Sequence, residues 1–351
     1  MTDTASETAP VRADEQMDWV ALAEYLRPRL PQSDGAAQVL QFPGGAANLT
    51  YLISFDDAEY VVRRPPLGPV PPGAHDMVRE YKVLSRLHRQ FDRAPQALLL
   101  CEDESVIGAK FIVVERRRGV VIRLAFPDAM LRHTDLARRS SFALVDAMAD
   151  LHAVDPGDCE LSDLGRPEGF VARQVDGWNK RWALAKDRDI PLFDAVHETL
   201  AARLPAPQRV SVVHNDLKLD NCQFQPDDPD RVTSIFDWDM ATLGDPLIDL
   251  GTLLNYWPEP TDQVVRTVHP EGTADVFPTR AELIERYAGR SGMNLDGVAW
   301  YEAFALWKTA VVIQQIYIRY KRGQTQDERF ALYPERVPAL LACAAMLLGL
   351  D

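Results

Sequence analysis

His214, Asn215, Asp216, Leu217, Lys218, Leu219, Asp220 and Asn221 form a polar loop that precedes a second acidic segment, Phe236, Asp237, Trp238 and Asp239. The run Val210, Ser211, Val212 and Val213 predicts a strand that delivers the loop. Cys222, Gln223, Phe224 and Gln225 leave it in alternating fashion toward a turn at Pro226, Asp227 and Asp228. A returning strand, Val232 to Trp238, would place Asp237 back beside the loop. An Asp and an Asn five positions apart, with a further Asp sixteen positions on, suit phosphoryl transfer from Mg-ATP. Asp216 would orient an attacking hydroxyl and accept its proton. The Asn221 amide oxygen and the Asp237 carboxylate are the hard oxygen ligands Mg²⁺ prefers, with phosphate oxygens and water completing the shell. A single Asp in such a loop would read as a solvated acid. The joint spacing between two strands is what points to chemistry.

The pattern resembles the aminoglycoside phosphotransferase and choline kinase superfamily, whose His-x-Asp, four residues, Asn is followed by Ile-Asp-Trp-Glu. Gly244, Asp245, Pro246, Leu247, Ile248, Asp249 and Leu250 continue it like the Gly-Asp-Pro-x-x-Asp-Leu that braces the loop in relatives. Within the superfamily the chain most resembles the kinase domain fused to acyl-CoA dehydrogenases 10 and 11 and its free-standing bacterial relatives. The segments that carry this are Gly44 to Tyr51, Val62 to Pro66 and Trp307 to Ala310, and the resemblance spans most of residues 40 to 325. It implies a protein-kinase-like α+β fold, with a small antiparallel β N-lobe followed by a larger, mainly helical C-lobe.

Length agrees, since 351 residues exceed the usual span of one core and two lobes with a cleft are expected. Residues 1–14 are polar and small and are expected to be a disordered leader. Residues 15–116 would be the nucleotide-binding N-lobe, and 117–351 the C-lobe with the catalytic loop and acceptor site. Asp18 begins a short helix through Trp19, Leu22 and Leu26. Strands are expected at Val39–Phe42, Leu49–Phe55, Tyr60–Arg63, Leu98–Leu100 and Phe111–Glu115, a helix over 75–91, and long helices at Phe142–His152 and Tyr301–Tyr320.

The resemblance assigns further residues. Gly44, Gly45, Ala46, Asn48 and Thr50 fall in the phosphate-covering hairpin, where adjacent glycines let backbone N–H groups approach; the Gly-x-Gly-x-x-Gly form is missing and an ordinary hairpin turn is the better reading of these residues alone, but their place one strand before Arg63 favours the phosphate role. Arg63 stands where Val-Ala-Ile-Lys puts a lysine on the α- and β-phosphates. Arginine can fork onto phosphate, with Arg64 as the alternative and Glu80 on the next helix as its partner. Adenine would be read by backbone near Glu115 and Arg117. Lys218 matches the Asp-x-Lys of serine/threonine kinases and would contact the γ-phosphate, or be a surface lysine. His214 is expected to shape the loop, Asp239 to hydrogen-bond near the metal, Asp245 to cap a helix and Asp249 to brace the loop.

Composition narrows partners. Hydrophobic residues make up 46% and charged residues 26%, enough for ordinary cores, and a net charge of −14 argues against nucleic acid or an anionic membrane. Four cysteines without a Cys-x-x-Cys pair predict reduced thiols in a cytoplasmic protein. No apolar run is expected to reach the roughly 18 residues of a membrane span. The acceptor is a small-molecule hydroxyl whose identity stays open, as does oligomeric state. Trp178, Trp182, Tyr256, Trp257, Tyr301, Trp307, Tyr317 and Tyr320 are read mostly as core. Arg319, Lys321 and Arg322 would suit an anionic acceptor such as an acyl-CoA, and acidic or aromatic walls a cationic aminosugar or quaternary amine. A protein kinase would share the loop, but Gly244 follows Asp237 by only seven residues, leaving little room for an activation segment. A nucleotide-binding pseudokinase is the non-enzyme alternative, disfavoured by retention of Asp216, Asn221 and Asp237 together.

Overall fold

The computed structural model describes residues 7–42, 48–68, 75–262, 266, 270, 276–325 and 327–350. The chain divides into two compact units: Met1–Arg118 with Gly157–Leu164 and Thr233–Ala241, and Gly119–Pro156 with Gly165–Val232 and Thr242–Asp351. The first unit is therefore not a simple N-terminal piece ending at residue 116. It recruits two later segments, because Lys82 Nζ pairs with Asp163 Oδ2 at 2.7 Å and the Ile235 N–H donates to the Arg93 carbonyl at 2.8 Å. The acid at Asp237 comes with the second of them.

In the first unit a helix α1 (Trp19–Leu26), capped by Asp18 accepting from the Ala21 N–H, precedes strands β1 (Gln38–Gln41), β2 (Leu49–Ser54) and β3 (Glu59–Arg64). Helix α2 (Met77–Leu87), β4 (Ala97–Cys101) and β5 (Phe111–Glu115) follow. The five strands form one antiparallel sheet in the order β1-β2-β3-β5-β4. Register assigns its two faces, since residues directly opposite share a side. Tyr51 faces Val62 and Ile53 faces Tyr60, and these pack with Leu22 and Leu26 of α1 in one core cluster. Thr50 faces Arg63, and this pair lies on the other side of the sheet. The expected disordered leader is ordered from residue 7: Ala9 bridges Gln41, the Arg12 N–H donates to Gln41 Oε1 at 3.0 Å, and Arg116 pairs with Glu7. Backbone groups at that edge take a partner that composition does not reveal.

The second unit holds α3 (Leu136–Ala153), α4 (Phe170–Ala185) and α5 (Pro191–Ala202), then β6 (Ser211–Val213) and β7 (Cys222–Gln225). The strand β8 (Asp228–Ile235) carries the chain across the division between units, and the second unit resumes with β9 (Thr242–Gly244), α6 (Leu247–Asn255), α7 (Arg280–Ser291), α8 (Val298–Lys321) and α9 (Tyr333–Leu348). Its core is aromatic: Phe193 stacks on Trp182 with centroids 4.1 Å apart and on Trp307 at 5.1 Å. At Gly251 a Cβ would lie 2.4 Å from the Tyr301 carbonyl oxygen, so only glycine lets α6 approach α8 this closely.

Two expectations are corrected here. The returning strand ends at Ile235, and Asp237 lies beyond it with a left-handed backbone, φ 67°, ahead of a 3-10 turn at Trp238–Met240. The expectation that no apolar run reaches membrane-spanning length also fails: Glu328–Leu348 is long and apolar enough. That segment contains the interior Pro338, and its Val337, Leu340, Leu341 and Ala344 are buried in the second unit's core. The four cysteines are buried and free.

Candidate active site

The loop at Asp216 starts where β6 ends, and β6 is fixed by pairing with β9. Asn215 takes a left-handed backbone, φ 69°, which turns the chain sharply and leaves consecutive N–H groups pointing the same way. Both are satisfied by one buried carboxylate on α6. The His214 N–H donates to Asp249 Oδ2 at 2.7 Å and the Asn215 N–H to Asp249 Oδ1 at 2.6 Å. His152 Nε2 lies 3.1 Å from the same Asp249 Oδ2, and its Nδ1 lies 2.8 Å from the Tyr287 hydroxyl. Burial would push the Asp249 carboxyl up, but the bond from His152, the charges of His152 and His214 and the His214 N–H hold it below the ordinary range. His214 is itself buried, and its Nδ1 accepts from the Asp216 N–H at 3.3 Å, so it shapes the loop. The expected cap at Asp245 is shifted by one residue: Pro246 is the N-cap of α6, and Asp245 before it accepts through Oδ1 from the Leu247 N–H at 3.0 Å.

This frame presents three of the expected side chains together. Lys218 Nζ lies 3.0 Å from Asp216 Oδ2, and Asn221 Nδ2 donates to the Asp216 carbonyl at 2.8 Å and to Asp216 Oδ2 at 3.1 Å. With Nδ2 committed to Asp216, the oxygen Oδ1 is what Asn221 can offer a cation. Burial would lower the Lys218 pKa, but Asp216 with Tyr256 and Asp220 raises it, so the ammonium persists. Its nitrogen lies 5.0 Å from the Tyr256 ring centroid. Tyr256, His152 and Tyr287 were not anticipated as site residues: each is a single aromatic or His on or at the end of a helix, with no spacing to mark it. Lys308, quoted only as part of a similar segment, places Nζ 3.4 Å from the Asn215 carbonyl oxygen.

In the first unit Arg63 is the hub. Its Nε lies 2.9 Å from Glu80 Oε1 and its Nη2 donates to Asp237 Oδ1 at 2.9 Å. Glu80 is fully buried on α2, and burial together with Asp237 and Asp239 pushes it up to about 7 against the pull of Arg63. Burial alone would weaken the Arg63 charge, but Glu80 and Asp237 more than restore it. Asp237 is held by its neighbour Trp238, which is buried, donates through Nε1 to the Ile235 carbonyl at 2.8 Å and meets Phe91 edge-on with centroids 6.4 Å apart. Asn48 joins the group, with Nδ2 3.5 Å from both Asp237 Oδ1 and Asp239 Oδ2. His75 Nδ1 lies 2.9 Å from Asn48 Oδ1 and 3.7 Å from Asp239 Oδ2. Thr50 shares the Arg63 face of the sheet.

The alternation of β3 also separates the two arginines. Arg64 lies on the α1 side, where it donates to the Ile107 carbonyl at 2.7 Å and is buried. Arg63 alone of the two is on the face with Glu80 and Asp237. Glu115 and Arg117 pair with each other, Nη2 to Oε1 at 2.7 Å, and the Glu115 N–H already donates to the Gln96 carbonyl at 2.9 Å. Gly44, Gly45 and Ala46 lie outside the described residues. Asn221 and Asp237, the two expected cation ligands, belong to different units.

A model of the phosphotransferase enzyme family matches residues 38–300. The chain belongs to this family. The chain is 32% identical over 339 residues to acyl-CoA dehydrogenase family member 11 of Mus musculus, covering 93% of this chain and 43% of that one. It thus spans less than half the length of that relative. Among solved structures it superimposes on a candidate aminoglycoside phosphotransferase of Ralstonia eutropha JMP134 with a TM-score of 0.78 and 27% identity, covering 95% of this chain and 99% of the other. It shares its fold with a thermostable mutant of aminoglycoside phosphotransferase APH(4)-Ia, solved in ternary complex with AMP-PNP and hygromycin B. There the TM-score is 0.59 and the identity 14%, with 93% and 99% of the two chains covered. The protein-kinase-like α+β architecture is therefore one this chain shares with small-molecule phosphotransferases.

Proposed function

We propose that this phosphotransferase uses ATP and Mg²⁺ to phosphorylate the hydroxyl of a small molecule, with Asp216 as the catalytic base. The observation that carries the reading is the Asp216 carboxylate, flanked by Lys218 and Asn221 on a loop whose backbone is tied to buried Asp249. Asp216 accepts the acceptor's hydroxyl proton as that oxygen bonds the γ-phosphorus, the bond to ADP breaking with its electrons kept by ADP. Lys218 balances charge on the transferring phosphoryl group, and Arg63, steered by Glu80, meets the other phosphates. Asn221 and Asp237 supply hard oxygen donors that fit Mg²⁺, which when bound neutralises the phosphate oxygens. Asn48, Thr50 and backbone near Glu115 and Arg117 complete the nucleotide's surroundings in this proposal. Support for ATP comes from the AMP-PNP complex of the similar fold. For the acceptor, the acyl-CoA chemistry in the relative's name favours a hydroxyacyl thioester, and the hygromycin B complex an aminoglycoside-like alcohol.

Pairing of Arg63 with the ligand Asp237 favours a second reading, a nucleotide-binding scaffold in which the guanidinium replaces the metal. One experiment separates them. ADP release with Mg-ATP is measured over aminoglycosides, choline-like amines, hydroxy acids and hydroxyacyl-CoA thioesters, with Asp216→Asn alongside. Acceptor-dependent release that falls by about 10²- to 10⁴-fold in the variant is expected. A loss below about tenfold removes Asp216 from the role of base, and ATP binding without any release favours the scaffold.

A further inference from the structure

Lys308 lies on α8 next to Trp307, which is buried and stacks on Phe193 at 5.1 Å and on His197 at 5.7 Å. On its other side Thr309 Oγ1 accepts from Asn255 Nδ2 at 3.0 Å, tying α8 to α6. These contacts set the rotation of α8 and direct Lys308 to the catalytic loop. Its Nζ is 3.4 Å from the carbonyl oxygen of Asn215, the residue before Asp216, and 5.5 Å from the Trp178 ring centroid. Among the described residues no carboxylate comes within ion-pair distance of it. The same indole carries a second cation, since the exposed Arg181 guanidinium carbon is 4.3 Å from its centroid and also lacks a carboxylate partner among the described residues. Asp216 by contrast is already balanced by Lys218.

A cation drawn out of water without a counter-ion is costly, and the cost is removed when an anion completes the pair. Burial lowers the Lys308 pKa, with Arg181 and Lys218 adding to that fall, while Asp216 and Asp249 pull it back. The cations expected from sequence to meet an anionic acceptor do not include this one, and Lys321 is paired with Asp187 at 3.0 Å.

We propose that Lys308, with Arg181 on the same Trp178 ring, anchors an anionic group of the acceptor and so selects negatively charged alcohols over cationic ones. This rests on Asp216 being the end of the site at which the acceptor hydroxyl reacts. Lys308 is a positioning residue: it holds the acceptor from the Asn215 side while Asp216 addresses the hydroxyl. Amine-bearing acceptors meet like charge there, a built-in discrimination.

The test titrates the full chain, without nucleotide, with 3-hydroxybutyrate, glycerate and 3-hydroxybutyryl-CoA as anionic alcohols and with choline and hygromycin B as cationic ones. Lys308→Gln is expected to weaken the anionic set by about 10- to 100-fold, the value of a charge-assisted contact, and Lys308→Arg to restore most of it. ATP affinity and the circular dichroism spectrum should match wild type in both variants. Preference of wild type for the cationic set, absence of binding by every anionic alcohol, or equal losses for both sets would overturn the proposal. ADP release is scored separately. Anionic alcohols bound through Lys308 but never phosphorylated uphold the anchor and sink the kinase reading. Phosphorylation of choline or hygromycin B that is indifferent to Lys308 does the reverse.

Discussion

The Asp216 loop is held by its backbone, whereas the Arg63 face is held by its charges. In the second unit the His214 and Asn215 N–H groups both end on Asp249, which His152 and Tyr287 back up from inside the core. Nothing there depends on a long side chain keeping one rotamer. In the first unit Arg63 reaches Glu80 and Asp237 through a flexible stem, and Asp237 stays in place because Trp238 is locked under it. A backbone clamp leaves the loop little freedom to rearrange. A charge network gives a surface whose protonation can change and whose cation can exchange partners. The fixed element carries the proposed base with Lys218 and Asn221, and the adjustable one carries Arg63 and Asp237, the other groups proposed for phosphate and metal.

The largest effect that would break this contrast is expected from Asp249→Ala. Removing the carboxylate strands two buried N–H groups and the partner of His152, a loss of about 3–5 kcal/mol of folding stability by the cost of opening a buried network. Urea unfolding monitored by tryptophan fluorescence reads it directly. A loss under about 1 kcal/mol would mean the loop's N–H groups find other acceptors and the clamp is not what holds the loop.

What was legible in the sequence follows the same division. The loop and its flanking strands could be read because His214, Asp216 and Asn221 act within a few residues of one turn, where spacing maps directly onto geometry, whereas Asp249 reaches the loop from 34 residues further on and its bracing is implied only by the resemblance. Strand alternation also carried information that went unused: adjacent positions of one strand face opposite ways, which already separates Arg63 from Arg64. His152, Tyr287 and Tyr256 reach the loop only through tertiary packing, and nothing local distinguishes them from ordinary core residues. The left-handed turn at Asp237 does not show in the sequence because the β-branched and aromatic residues Val232, Thr233, Ile235, Phe236 and Trp238 favour a strand throughout. Backbone strain beside a buried Trp does not show in a propensity pattern. The apolar segment at 328–348 is hard to see as one run because Glu335 and Arg336 interrupt it, and it reaches spanning length only as an average over the whole stretch.

A smaller effect sharpens the other side of the comparison. Glu80 has a folded pKa of about 7 against an ordinary 4.5. The folded state therefore holds a proton that the unfolded chain has released between those values. The stability this gives is fully present below pH 4.5 and is lost as pH rises through 7. Glu80→Gln cannot titrate, so the stability of wild type relative to the variant should fall by about 2–3 kcal/mol between pH 4.5 and 8. Parallel chemical denaturation series across that range test it. Two curves of equal slope would show that Arg63 fully compensates the buried carboxylate, and the first unit would then be as fixed as the second.

The smallest effect concerns whether the clamp is Asp249 alone or the whole of α6. Tyr301 donates to Asp245 Oδ2 at 2.6 Å, while Asp245 Oδ1 accepts from the first N–H of the helix that carries Asp249 one turn later. Burial raises the Asp245 pKa, and the Tyr301 hydroxyl and Leu247 N–H oppose that rise. Removing the hydroxyl in Tyr301→Phe lets the pKa climb further, so the ionised form becomes harder to keep as pH falls. The stability loss should be about 1 kcal/mol near neutrality and less at pH 5, where Asp245 is closer to its protonated form. Because Leu247 keeps its acceptor, the helix start should not move, and turnover should stay within about twofold of wild type. A turnover loss that tracks the stability loss across pH would mean the setting of α6 as a whole positions Asp216. The backbone clamp would then extend from the catalytic loop through the helix to Tyr301 on α8, and the second unit would be less local in its control of the base than the two bonds to Asp249 imply.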